Sequence, residues 1–466
     1  MIELFPGGWL SGDKEPEKRE NFTSQLGFIL VTVSSAVGLG NIWRFSYITG
    51  VNGGGAFLLI YMLCVLFVAM PIMIAEFSIG RKGKMSPVGS FKKLAPDKRY
   101  WIIPGILSVL TPLIIMIYYP VVSGWALGYV FESIFNWGPI TSDPSTAFSV
   151  FSAAPTSILF TAAALIMTAG VLLGGVTKGI EKSSKILMPV LFLLLLILVL
   201  RSLTLPGSFE GVKFLFVPDF TKLTLRGVLD ALGHSFYSLS LGMGIIITYA
   251  SYMKKETDLP KATASIITLD TAVALLSGLA IFPAVFALGI NPAEGAGLAF
   301  ITLPGAFAQI PAGQFFSITF FLLLFIAALT SMISIMQIPL SFLEEEYKMK
   351  KKTALMLITA FLIIAGVPAA LSFGPMSDVL IFGNTFFDAT DKFVNIVLLP
   401  ITGLLCTLFV IFHLGIKNSK QIFMEGAENQ NSILGKIYPF SIRYIAPIAI
   451  VLIMLNGFGF FNLIFN

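Results

Sequence analysis

Across 466 residues, 56% of side chains are apolar, 12% are charged and the mean hydropathy is +0.89. Soluble domains carry about a quarter charged residues and disordered chains are poor in apolar ones, so both classes are excluded. The net charge of +5 acquires meaning only when its charges are placed along the chain.

Residues Met1–Asn21 are polar and mixed in charge, without the apolar core of a signal peptide. Residues 1–23 read as a cytoplasmic tail. About eleven apolar stretches follow that are long enough to cross a bilayer, each needing about 20 residues. They run over Leu26–Gly50, Gly55–Ile79, Ile103–Phe131, Ser157–Gly175, Ser183–Leu203, Val228–Ala250, Ala262–Leu288, Gln314–Phe342, Ala354–Phe373, Phe393–His413 and Tyr444–Ile464. Gly297–Ile310 is too short to span and reads as a loop helix. With the tail inside, 24 of the 30 Lys and Arg fall on the inner side, the bias of an oriented membrane protein. This puts the chain in the cell membrane with its N-terminus inside and its C-terminus outside, after a cytoplasmic loop and eleventh helix over 414–466. The basic charges orient the chain, so no nucleic-acid partner is expected. The oligomeric state is not legible.

Two spans are interrupted by glycine. The first holds A-V-G-L-G-N (Ala36–Asn41) and the sixth S-L-S-L-G-M-G (Ser238–Gly244). Five spans apart, they cross in opposite directions, as inverted repeats of about 24–203 and 228–413 require. G-x-G alone also serves close helix packing. Bare backbone in hydrocarbon persists only where something binds it. Carbonyls freed near Gly38 and Gly40 would coordinate a cation, with Asn41, Ser238 and Ser240 adding oxygens, and Thr330 and Ser331 form a hydroxyl pair in the eighth span. Oxygen donors without thiolate or imidazole suit a hard cation. Taken singly, each hydroxyl is better explained by bonding back to its own helix; jointly, that explanation requires a coincidence on three helices.

Asp270 lies within I-I-T-L-D-T-A-V-A, where a lone carboxylate costs several kcal/mol unless paired, protonated or beside a cation. Arg44 and Asp391 near span ends form either a gating ion pair or two separately solvated charges; Arg19 and Glu345 offer a similar inner pair. Cys64 and Cys406 read as buried free thiols, and His234 and His413 form no ligand pair. No nucleophile–base pair, phosphate loop or metal cluster argues for an enzyme.

A-V-G-L-G-N-I-W-R-F (Ala36–Phe45), N-G-G-G-A-F (Asn52–Phe57), I-Y-Y (Ile117–Tyr119), S-L-S-L-G-M-G with T-Y-A-S-Y (Thr248–Tyr252), L-T-S-M-I-S-I-M-Q (Leu329–Gln337) and D-A-T-D (Asp388–Asp391) together resemble the neurotransmitter:sodium symporters over nearly the whole chain. The resemblance implies an all-α polytopic membrane protein of about 11 transmembrane helices, a 5+5 inverted repeat of the leucine-transporter type with helices 1 and 6 broken. It implies a sodium-coupled secondary symporter for amino acids, working by alternating access. One sodium site would use the Ala36 carbonyl, Asn41, Ser238, Asp270 and the substrate carboxylate. A second would use carbonyls of Ser34, Val37 and Ala327 with the hydroxyls of Thr330 and Ser331. Tyr119 would donate to the substrate carboxylate, Tyr237 would close the pocket from outside, and Tyr252 would belong to the inner gate.

Departures from the family sharpen these expectations. W-R-F-S-Y replaces W-R-F-P-Y, with Ser46 for proline, and Ser34 stands where glycine is usual. Asp270 occupies a position usually held by an amide; animal members need chloride nearby, and a carboxylate supplies that negative charge, so no chloride requirement is expected. Asp270 would also take up a proton after sodium leaves. Gly38 replaces the acid of monoamine carriers and leaves room for a substrate carboxylate. The substrate side chain would meet Ile115, Tyr119, Tyr237, Ser240, Met243, Met332 and Ile335, alongside backbone from Ala36, Gly38 and Gly40. This lining favours hydrophobic or aromatic L-amino acids. A same-fold carrier for a betaine or γ-amino acid, and a transport-dead sensor, are the alternatives. Gly179 and Pro189, nine residues apart in between, would let the fifth helix unwind on inward release.

Overall fold

Long apolar runs in hydrocarbon must satisfy their backbone polar groups internally, and a helix does so within one segment. The computed structural model describes residues 20–153, 155–289 and 299–461. Among them there is no strand, only isolated bridges between Gly54 and Pro218 and between Ile381 and Asn384. Residues 1–19 of the expected tail, with Arg19, and residues 297–298 of the expected loop helix lie outside the described residues; that helix is Thr302–Ala308.

Among the described residues, nine helices are long and apolar enough to span: Gly55–Gly83, Arg99–Phe135, Pro155–Leu173, Gly175–Leu203, Leu259–Ala287, Gly313–Glu346, Lys351–Leu371, Phe386–Leu414 and Ile433–Gly457. The first span is a bent pair, Gln25–Ala36 and Gly40–Val51, turned by 56° at its break. The sixth is interrupted as well, between Leu225–Ser238 and Ile245–Ser251. Each series of five spans therefore opens on a broken helix.

The starts of the fifth and eleventh spans differ most from expectation. The fifth span is helical from Gly175, not Ser183, and opens on a π-helical turn over Gly175–Glu181. The eleventh runs Ile433–Gly457 rather than Tyr444–Ile464. Both additions hold basic residues, Lys178 and Lys182 in one, Lys436 and Arg443 in the other. Hydropathy ends a span where charge begins, but backbone hydrogen bonding continues, since long basic side chains keep their charged heads at the wet end. Gly179 lies inside that π-helical turn and is wound here.

The eighth span is the spine. Of its most apolar window 89% is buried, against 33% for the fourth and the fifth, which turn most of their surface to lipid. It packs along the third span and touches the first. Hydroxyls inside the first span bond back to their own helix, Thr32 Oγ1 to the Phe28 carbonyl at 2.8 Å and Ser35 Oγ to the Thr32 carbonyl at 2.7 Å, the usual resolution for such residues in membrane helices.

Candidate functional site

The first helix stops at Ala36, and Val37 is extended at φ −73°, ψ 101°. A side chain on Gly38 would place its Cβ 2.6 Å from Ser331 Oγ and 3.0 Å from the Tyr119 hydroxyl, so glycine keeps the break open to the third and eighth spans. The Leu39 N–H donates to the Tyr119 hydroxyl at 3.4 Å. In the sixth span the chain turns left-handed at Ser240 (φ 54°), Gly242 (φ 72°) and Gly244 (φ 71°). A Cβ at Gly242 would come within 2.5 Å of the Leu399 carbonyl. The freed Gly242 N–H donates to Glu76 Oε1 at 2.8 Å, and Ser240 Oγ donates to the Ser35 carbonyl at 2.9 Å. That last bond ties the two breaks together.

Asp270 is fully buried beside them. Asn41 Nδ2 donates to its Oδ1 at 2.7 Å, Ser238 Oγ lies 3.1 and 2.9 Å from its two oxygens, and the Tyr61 hydroxyl lies 3.4 Å from Oδ2. Tyr61 also reaches Ser238 Oγ at 3.3 Å. Among the described residues no basic side chain pairs with Asp270. A carboxylate held by neutral donors alone in a low-dielectric interior is a costly charge that a bound cation would offset. The donors are all oxygens except the Asn41 amide, whose Oδ1 accepts from the Gly38 N–H at 3.3 Å. A half-turn of that amide would present its oxygen to the Asp270 side. This set therefore fits a hard monovalent cation.

The second group carries no formal charge. Thr330 Oγ1 donates to the Ile326 and Ala327 carbonyls at 3.1 and 3.0 Å, and Ser331 Oγ lies 3.5 Å from the Ser35 carbonyl. Val37 is buried at the break, while the Ser34 hydroxyl engages the Val31 carbonyl at 2.8 Å and Ser184 Oγ at 2.9 Å. Ser331 thus meets the first break, and Ser34 turns its hydroxyl to the fifth span.

Ile115, Met243, Met332 and Ile335 are buried. The Tyr237 ring would lie 3.1 Å from a Cβ at Gly40, and the Arg44 guanidinium sits 4.9 Å above that ring. Arg44 and Asp391 do not form a direct ion pair; Asn395 stands between them, its Oδ1 3.3 Å from Arg44 Nη1 and its Nδ2 2.8 Å from Asp391 Oδ1. At the opposite end, the Phe22 N–H donates to the Tyr252 carbonyl at 3.1 Å, the two rings meet edge-on, and Gln337 Nε2 donates to the Tyr252 hydroxyl at 3.0 Å. Glu345 accepts from the Ser86 N–H at 2.5 Å.

A family model, the Sodium:neurotransmitter symporter family, matches residues 19–146 and 155–463. The chain belongs to this family. It is similar to the sodium-dependent transporter YhdH of Bacillus subtilis (strain 168), called uncharacterized, at 38% identity over 95% of this chain and 98% of that protein. It is also similar to an uncharacterized sodium-dependent transporter of Haemophilus influenzae at 34% identity, over 95% of this chain and 98% of the relative. Among solved structures, MhsT in complex with L-phenylalanine superposes with a TM-score of 0.85 at 42% identity, covering 94% of this chain and all of that one. This symporter therefore has the leucine-transporter fold with broken first and sixth helices and is a multi-pass membrane protein.

Three residues of the candidate site escape sequence reasoning. Tyr61 has no signal, since a tyrosine in an apolar span is ordinary. Glu76 has the same signal as Asp270, a carboxylate inside P-I-M-I-A-E-F-S, but its partner, a main-chain N–H four spans on, is invisible in sequence. Asn395 sits one turn beyond Asp391, where only the fold shows it facing Arg44.

Proposed function

We propose that this symporter imports hydrophobic and aromatic L-amino acids together with two sodium ions, by alternating access and without chloride. The observation that carries the reading is Asp270: a buried carboxylate, neutral partners only, at the meeting point of two broken helices. One sodium would bind among the Ala36 carbonyl, Asn41, Ser238 and Asp270, completed by the substrate carboxylate. The second would bind where Thr330, Ser331 and the Ala327 carbonyl face Ser34 and Val37. Because the substrate acid would share the first ion, each would need the other, and coupling follows by linkage. The fixed charge of Asp270 supports chloride independence, since it balances the cation without an added anion.

Gly38 supports a substrate carboxylate at the break, because it leaves free the space beside Ser331 and Tyr119 that a side chain would fill. The buried apolar lining of Ile115, Met243, Met332 and Ile335 supports a large apolar side chain, and L-phenylalanine is the ligand of the similar MhsT structure. Tyr237, Arg44, Asn395 and Asp391 would gate the outer side, Tyr252 and Glu345 the inner side, as units 24–203 and 228–413 move against each other. One sodium falling through 100 mV and a tenfold gradient releases about 3.7 kcal/mol, so two would support roughly 10⁵-fold accumulation and one only several-hundred-fold.

Uptake of labelled L-phenylalanine into proteoliposomes tests this. A sodium gradient should drive accumulation that survives replacement of chloride by gluconate and yields to competing leucine or tryptophan. Competition by a betaine or γ-amino acid instead, or binding without accumulation, overturns the reading.

A further inference from the structure

The inner ends of the first and fifth spans exchange carboxylates. A helix leaves its first N–H groups without a carbonyl partner, and an acidic side chain there satisfies them and suits the positive end of the helix dipole. The fourth span ends at Leu173 and the fifth begins at Gly175, whose φ of 71° makes the tight turn between them. Val176 and Thr177 are the second and third residues of the π-helical turn, and their N–H groups donate to Glu20 Oε2 at 2.7 and 3.3 Å. A Cβ at Gly175 would lie 2.6 Å from Glu20 Oε1, so the glycine leaves room for this carboxylate. Lys351, at the start of the ninth span, stands 3.5 Å from the same oxygen.

The return contact comes from the last residue of that turn. Glu181 is buried, and its carboxylate accepts from the Thr23 N–H at 2.8 Å and from the Thr23 hydroxyl, just ahead of the first helix's cap at Ser24. Lys185 Nζ lies 2.7 Å from Glu181 Oε1, so this buried charge is paired. A Cβ at Gly27 would fall 2.0 Å from Glu181 Oε1, so glycine in the first turn of the first span leaves the carboxylate its place. Between Glu20 and Thr23, Phe22 is buried with its ring against Phe28, Tyr249 and Tyr252.

We propose that Glu20 and Glu181 are positioning residues that form a reciprocal cap, so that residues 20–24 leave the inner face and the fifth span unwinds in one step. If residues 20–24 leave first, Val176 and Thr177 lose their acceptor, and the buried Glu181 loses both Thr23 donors. If the turn unwinds first, Glu20 loses the two N–H groups that hold it. Each opening therefore removes hydrogen bonds from the other element, and contacts shared in this way make the two openings non-additive. The consequence for transport rests on the alternating-access reading; the cap itself does not.

The test is hydrogen–deuterium exchange of the full chain in lipid nanodiscs, with sodium and no solute, read in peptides covering 21–28 and 174–182. Glu20→Ala should speed exchange in 174–182 about tenfold, the weight of one hydrogen bond to a charged acceptor. Glu20→Gln, which keeps an acceptor oxygen, should lie between wild type and alanine. Phe22→Ala, which unseats residues 20–24 without touching either carboxylate, should speed exchange in 174–182 as well as in 21–28. Thr23→Val takes its place should the Phe22 variant lose its helical circular dichroism. Unchanged exchange in 174–182 with Glu20→Ala, or a change confined to 21–28 with Phe22→Ala and Thr23→Val, overturns the proposal. No solute enters the measurement, so the cap and the amino-acid reading fail separately.

Discussion

The two candidate cation positions differ in what holds them. At Asp270 a carboxyl group is buried among the Asn41, Ser238 and Tyr61 side chains, drawn from three other spans. At Thr330 and Ser331 the donors are hydroxyls and main-chain carbonyls, and Thr330 is already satisfied by its own helix. The first arrangement is expensive while no cation is present; the second is neutral and inexpensive. On the proposed reading, a charge would make binding at one position strong and coupled to the substrate acid, whereas dipoles would leave the other weaker and more easily released.

The largest effect should come from breaking the charged side. Asp270→Ala should weaken sodium-dependent L-phenylalanine binding by more than about 100-fold, as loss of one partner in a buried charge pair does; unchanged sodium affinity removes Asp270 from the site. Without sodium, Asp270→Asn should melt no lower than wild type, because the lone buried charge is gone. Gly38→Ala comes next. Its Cβ falls 2.6 Å from Ser331 Oγ, and overpacking of about 1–3 kcal/mol predicts a loss of substrate affinity of roughly tenfold or more; scintillation proximity binding checks it.

On the neutral side, Thr330→Val removes one hydroxyl, and about 1 kcal/mol predicts a fivefold weaker sodium response in thermal shift. An effect as large as that of Asp270→Ala would erase the contrast between the two positions. The smallest change belongs to the outer end. Asn395→Ala cuts the bridge between Arg44 and Asp391 and should speed substrate release by only about two- to threefold, the scale of a half-exposed polar contact, with no change in melting temperature.

How much of this was readable beforehand varies residue by residue. Asp270 stands out because a carboxylate among apolar neighbours demands a partner, and Gly38 and Gly244 mark interruptions because glycine is poor at propagating a helix. The same carboxylate rule marks Glu76, yet gives no means of finding the Gly242 N–H. The Arg44–Asp391 pairing is plausible from charge, but the intervening Asn395 depends on which faces two distant helices present. The ends of the fifth and eleventh spans escape hydropathy because Lys178, Lys436 and Arg443 are helical and charged at once.

The amino-acid order alone determined the membrane setting, the spans, the two interruptions and the residue types able to hold a hard cation, because transfer free energy and backbone satisfaction act segment by segment. Only tertiary structure decided that Ser240 reaches the Ser35 carbonyl, that Tyr61 closes around Asp270, and that Asn395 stands between Arg44 and Asp391. Such contacts join residues tens to hundreds of positions apart, and their distances follow from how helices pack, which no local pattern encodes.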